Sequence, residues 1–283
     1  MKTAKNNIIN GFKATDKDLK CRGFQYAVGE IYEHDGSISL CNSGFHFCQN
    51  PLDVLDFYDL CDSEFLSVEA HGAYESDDKK TVTNKLKVTA SIGLPGLIKA
   101  SVEWIINSTK KSKKKDSSQL AASGYYSKLA ASGDYSKLAA SGDYSKLAAS
   151  GYYSQLAASG YYSQLAASGD YSKLAASGDY SKLAASGYYS KLAASGYYSK
   201  LAASGDYSKL AASGDSSIAA GIGVNNTAKA KKGSWIVLAE WKYDNKINRW
   251  KPVCVLSAQV DGETIKEDTY YKVTDGSFVE VGE

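Results

Sequence analysis

Gly133-Asp134-Tyr135-Ser136-Lys137-Leu138-Ala139-Ala140-Ser141 is one instance of a nine-residue phrase, G-[DY]-Y-S-[KQ]-L-A-A-S. The phrase runs from 117 to 216, with glycine at Gly124, Gly133, Gly142 and every ninth position to Gly214. A fixed short period of this kind is the signature of a stacked array, so the middle third of the chain is expected to be a solenoid. An array that grows by repetition presents an extended, repeating surface. Its natural uses are spacing, oligomerising or binding, rather than holding one catalytic constellation.

Leucine and alanine favour helix, but the period excludes it. Nine residues place Leu129, Leu138 and Leu147 on alternate sides of a helix, and the glycine of each unit costs a helix about 1 kcal/mol. Short strands fit. Ser127, Leu129 and Ala131 share one strand face, and Tyr126, Lys128 and Ala130 share the other. A lysine column cannot be buried, so the leucine face points inward. The expected core is Leu129, Leu138, Leu147, Leu156, Leu165, Leu174, Leu183, Leu192, Leu201 and Leu210 with the second alanine of each unit, and Ser132-Gly133 turns the corner.

Nine residues are too few for a closed coil, whereas two units make two short strands and two turns. The predicted rung is therefore 18 residues in a flattened β-roll or narrow β-helix, giving about six rungs and a stack about 30 Å long. The residue after each glycine runs Tyr125, Asp134, Asp143, Tyr152, Tyr161, Asp170, Asp179, Tyr188, Tyr197, Asp206, Asp215. Read rung by rung, Asp and Tyr alternate on both edges, so no carboxylate stacks on another at a spacing of about 4.8 Å. Recent duplication of a four-unit segment would produce the same order.

Tyr126, Tyr135, Tyr144, Tyr153, Tyr162, Tyr171, Tyr180, Tyr189, Tyr198 and Tyr207 occur one per unit. Two readings are open: ring-on-ring support of the solenoid, or an interface between copies of the chain that match register by register. A homo-oligomer, dimer or trimer, is expected. The accompanying lysines, interrupted by Gln119, Gln155 and Gln164, alternate with aromatics as a single-strand nucleic-acid groove does. Six aspartates in the repeat and a net charge of only +2 argue against that partner. The aspartates are too sparse for the Gly-Asp loops of calcium-binding nonapeptide rolls, so no metal is expected.

The flanks differ in composition. Residues 1–108 mix strand and helix patterns: strands are predicted at 24–32, 44–48, 64–70 and 81–91, a short helix beginning at Pro51, and an amphipathic helix over 97–107. Lys110, Lys111, Lys113, Lys114 and Lys115 make 109–116 a basic linker, and the solenoid is assigned to 117–232. Residues 233–283 read as hairpins that cap the last rung, with Trp235, Trp241 and Trp250 as core and seal. The predicted fold class is mainly β, a central parallel β-solenoid between an N-terminal α+β domain and a small C-terminal β domain. Residues 213–233, DSSIAAGIGVNNTAKAKKG within them, resemble the head repeats of trimeric autotransporter adhesins, which implies a left-handed roll and an oligomer.

Cys21, Cys41, Cys48, Cys61, His34 and His46 contain no Cys-x2-4-Cys pair, and His46 and Cys48 sit in an apolar run, so a zinc site is not expected. The cysteines, the lack of a signal peptide and the lack of any 18-residue apolar run suggest a reducing cytoplasm and no membrane. CRGFQYAVGEIYEHDG (21–36), LCNSGFHFCQNPLDVLDFY (40–58) and SIGLPGLIKAS (91–101) resemble a domain of unknown function common in phages and prophages. There it precedes Ser-Gly-Asp-rich repeats and a segment like 233–241. Arg22-Gly23, Tyr26 to Gly29 and Gly44-Phe45-His46 also resemble the arginine and glycine-aromatic strands of ADP-ribosyltransferases, which implies NAD. No Ser-Thr-Ser strand or Glu-x-Glu turn accompanies them. The expected function is a non-enzymatic phage accessory protein, without cofactor, that binds a host macromolecule and inhibits a defence system in the infected cell's cytoplasm. The alternative is a spacer or fibre component of a phage particle.

Overall fold

The computed structural model describes residues 8–40, 42–109 and 119–282. Cys41 and the lysine run of the expected linker lie outside them. The chain forms two compact units, Met1–Trp104 and Ile105–Glu283.

In the second unit each repeat contributes one four-residue strand, K/Q-L-A-A, and each strand pairs in parallel with the strand 18 residues on: Leu138 with Leu156, Leu156 with Leu174, Leu147 with Leu165. Odd and even repeats thus build two separate sheets. One stacks seven parallel strands from Gln119–Ala122 to Thr227–Ala230, the other seven from Lys128–Ala131 to Trp235–Asp244. Leucine and the second alanine fill the space between them. Leu138, Leu174 and Leu210 are fully buried with Ala140 and Ala176, while Leu129 and Ala131 at the first rungs are partly buried.

The strands are shorter than the alternation of the repeat suggested. Tyr126 and its equivalents do not share a strand face with the lysine; they sit in a five-residue corner, S-G-x-Y-S, with φ between 55° and 58° at all ten positions. A left-handed tyrosine costs about 1–2 kcal/mol, so the corner must repay it. Three contacts do. The Tyr144 N–H donates to the carbonyl of Tyr161 at 2.8 Å. The buried Ser145 hydroxyl donates to the Gly142 carbonyl at 2.5 Å. The tyrosine rings stack between rungs. Glycine is required because the corners nest: a Cβ on Gly142 would lie 2.1 Å from the Gly124 carbonyl oxygen one rung below.

Two hairpins end the stack, one per sheet. Trp235–Asp244 lies parallel to Ile218–Gly221 on one side and antiparallel to Arg249–Gln259 on the other. The hairpin of Tyr271–Thr274 and Ser277–Glu280 joins the other sheet through Ala228 and Tyr271. Ile236, Leu238, Val260, Ile265, Tyr271 and Val273 continue the core. The tryptophans do not: Trp235 and Trp250 are 43% and 40% exposed. Period-two alternation turns Trp235 outward once Ile236 and Leu238 face in. Trp241 does seal the edge, its indole N–H donating to the Ile222 carbonyl at 2.9 Å.

The first unit holds a four-stranded antiparallel sheet in the order Ile9–Thr15, Glu64–Ala70, Lys85–Ser91, Ile31–Glu33. A three-stranded sheet (Phe45–Phe47, Thr81–Thr83, Tyr74–Ser76) and a two-stranded hairpin (Lys20–Cys21, Phe24–Gln25) accompany it. Two predicted strands are therefore each divided. Residues 24–32 break around Gly29, whose φ is +94°, and 81–91 split at Asn84 between two sheets. Pro51–Asp56 is a 3-10 helix capped by the Asn50 side chain, and the helix Gly93–Thr109 follows the last strand.

Candidate interaction surface and N-terminal cleft

The ten corner tyrosines form two ladders. Tyr126, Tyr144, Tyr162, Tyr180 and Tyr198 run along one corner, and Tyr135, Tyr153, Tyr171, Tyr189 and Tyr207 along the other. Successive ring centroids are 4.8–5.1 Å apart and the rings are within 3–17° of parallel. Such stacking adds about 0.5–1.5 kcal/mol per pair, comparable with the turn strain it offsets. The outer ring edges remain open, since every ladder tyrosine is at least 41% exposed.

The aspartates beside the ladders tie rungs together. Asp134, Asp143, Asp170 and Asp179 each accept the backbone N–H of the tyrosine 18 residues on, at 2.8–2.9 Å. Between the two corners, the outer face of the sheet that starts at Lys128–Ala131 is a shallow trough of Ala130, Ala148, Ala166, Ala184 and Ala202. Exposed Lys146, Lys182 and Lys200 stand in the strands of the same sheet.

A cleft of about 700 Å³ opens in the first unit. At its floor lies Lys13, 3% exposed although a lysine. Its position on Ile9–Thr15 turns it into the unit, where Nζ donates to the His46 carbonyl at 3.2 Å and the Tyr58 hydroxyl at 3.4 Å. Cys21 Sγ is 3.7 Å away, and the Tyr26 ring centroid 5.0 Å. No carboxylate is among these contacts, so burial outweighs every neighbour and pulls the Lys13 pKa below its ordinary value. Burial, and after it the repulsion of an imidazolium by the Lys13 charge, also lowers the His46 pKa. Burial drives the Cys48 thiol up to about 12 and raises the Tyr58 hydroxyl, which Cys21 raises further. Thiol and phenol therefore stay protonated at neutral pH.

Phe24, Phe45, Tyr26 and Tyr32 make an edge-to-face cluster beside this lysine, with Phe24 centred 4.8 Å from Tyr26 and 5.5 Å from Phe45. Of the residues behind the ADP-ribosyltransferase resemblance, Arg22, Tyr26, Gly44, Phe45 and His46 line this one cleft, and Gly23 and Gly29 do not. Among the described residues no group of three His, Cys, Asp or Glu is placed to hold a metal ion. Lys13 carries no mark in the sequence. Alternation with Phe12 and Ala14 would even assign it to the outer face, whereas the strand is buried on both faces over Lys13, Ala14 and Thr15.

These features define a mainly β protein in which a parallel β-solenoid with a small C-terminal β element accompanies a mixed α/β N-terminal unit, the architecture of a structural or binding scaffold. Residues 9–100 match the family described as Domain of unknown function (DUF7666), and the repeats lie outside the match. No curated protein and no solved structure matches the chain. Among the described residues no helix is long and apolar enough to cross a membrane.

Proposed function

We propose that the protein is a non-enzymatic phage or prophage accessory protein. Two or three chains associate through their solenoids, and the assembly engages a host macromolecule in the infected cell's cytoplasm to inhibit a defence system. The observation that carries the assembly reading is the exposed, strictly periodic surface of tyrosine edges and alanine trough. A second copy can match it rung by rung at the repeat of about 4.8 Å, so each added rung adds the same contact. The phage setting and the host target rest on the resemblance of 21–36, 40–58 and 91–101.

Light-scattering mass of the full-length chain, and of a chain lacking 151–168, tests assembly. A dimer or trimer whose dissociation constant rises when that rung is removed is the expected result, and a monomer at high micromolar concentration would overturn it. The self-stacking of the ladders favours a second reading, a stiff spacer or fibre element of a phage particle. Recovery of the protein in purified particles would select that reading, and its recovery only from infected-cell lysate would select the first.

A further inference from the structure

The cleft in the first unit has a composition that assembly does not use. Lys13, Lys20, Arg22 and Lys80 line it against two carboxylates, Asp16 and Glu33. Both acids are engaged elsewhere. Asp16 Oδ1 accepts the backbone N–H groups of Asp18 and Lys20 at 3.0 and 2.7 Å, and Glu33 pairs with Lys85 at 2.6 Å. Lys80 is engaged as well, lying over the Phe57 ring, so Lys13, Lys20 and Arg22 are the cations of the lining that a phosphate dianion would meet. One of these charges, Lys13, is buried with no carboxylate among its contacts with the described residues, an arrangement that costs stability unless an anion completes it.

The turn that carries Arg22 points the same way. Cys21 and Phe24 pair across a two-residue loop, and both loop residues have positive φ, Arg22 at 51° and Gly23 at 79°. That is the type I′ arrangement, in which asparagine or glycine is favoured at the first position and arginine is strained. Strain at the rim of a cleft is characteristic of binding sites, where a side chain is retained for what it contacts. Beside it Phe24, although packed on Tyr26 and Phe45, is 41% exposed on the cleft wall. An exposed phenyl face next to a cationic rim suits a planar base joined to a phosphate.

We propose that this cleft binds a phosphorylated nucleoside, with the phosphate at Arg22 and Lys20 above the buried Lys13 ammonium and the base against Phe24. A cleft of this volume lies in the range of small-ligand sites, and its ligand would supply the counter-charge that the described residues do not give Lys13. The site is independent of whether the solenoids assemble.

The test is calorimetric titration and thermal shift of the full-length protein with AMP, ADP, inorganic pyrophosphate and adenosine. Nucleotides are expected to bind at least tenfold more tightly than either pyrophosphate or adenosine. Arg22→Asn is the decisive variant, because Asn-Gly suits the turn: it should fold with an unchanged or higher midpoint and lose at least tenfold in nucleotide affinity. Phe24→Leu should weaken nucleotides and leave pyrophosphate unchanged. Equal affinity for pyrophosphate and nucleotide would overturn the base assignment. Absence of binding at millimolar concentration, or full affinity in a folded Arg22→Asn protein, would overturn the site.

Discussion

The backbone N–H of Tyr161 donates to Asp143 Oδ1 at 2.8 Å, across one rung of the solenoid. The residue after glycine therefore has a role in each form: aspartate accepts from the rung that follows, and tyrosine supplies the N–H. Alternation keeps carboxylates two rungs apart while leaving Asp134, Asp143, Asp170, Asp179 and Asp206 with this acceptor role; Asp215, at the end of the array, pairs with Lys231 instead. Asp143→Ala is expected to lower stability by about 1 kcal/mol, with Asp143→Asn intermediate. Urea midpoints at neutral pH would measure it, and equal midpoints for all three would deny the contact any weight.

A larger effect is expected at Gly178. A Cβ there would fall 2.2 Å from the Gly160 carbonyl oxygen, a backbone atom that cannot swing away. Gly178→Ala should destabilise the rod by more than about 2 kcal/mol through rung separation, the range in which overpacking and strain fall. Ser177→Ala, beside it, is the control.

Tyr162 separates the two contributions of the ladder. Asn225 occupies the equivalent left-handed position naturally, at φ 54°, so Tyr162→Asn removes the ring and keeps the turn. Tyr162→Val removes both, because a branched side chain is disfavoured there. The valine variant should be less stable than the asparagine variant by about 1 kcal/mol, read by thermal denaturation.

Leu165, 2% exposed, faces leucines of the rungs on either side. Leu165→Asp should unfold the central rungs by burying an unpaired charge, at a cost of more than about 3 kcal/mol. Lys182→Gln, on the exposed face of the next strand in that sheet, should stay within about 0.5 kcal/mol. Circular dichroism distinguishes the two.

His46 makes the first unit sensitive to acid. Its folded pKa lies below the ordinary 6.5, so between the two values the unfolded chain binds a proton that the folded chain does not. Stability therefore rises with pH through that window. Denaturation midpoints at about pH 5.5 should be lower than at about pH 7, and His46→Gln should shrink the difference. An unchanged difference would assign the acid sensitivity to the carboxylates.

The rung of two repeats and the inward leucine were legible because period and lysine placement are properties of the chain: this packing keeps Lys146 in water and Leu147 out of it. The corner was not legible. Local preference puts tyrosine in a strand, and it is the nesting of Gly142 on Gly124, the Tyr144 N–H bond to Tyr161, the Ser145 bond to Gly142 and the ring stacking between rungs that hold Tyr144 in the left-handed region. In the cap the same limit appears at Trp235, which size alone would assign to the core and which the register of Ile236 turns outward.

The cleft was further from reach. Arg22, Tyr26 and His46 were visible as motif residues, but Lys13 was one lysine among many, and its burial arises from strands that close over it from 45–47 and from the segment around Tyr58. Sequence by itself determined the elements that depend on periodicity, since burial of one face repeats with the chain. Tertiary structure decided whatever depends on contacts between distant segments: the left-handed corners, the outward tryptophans and the buried charge at Lys13. Their energies come from neighbours that the local sequence does not contain.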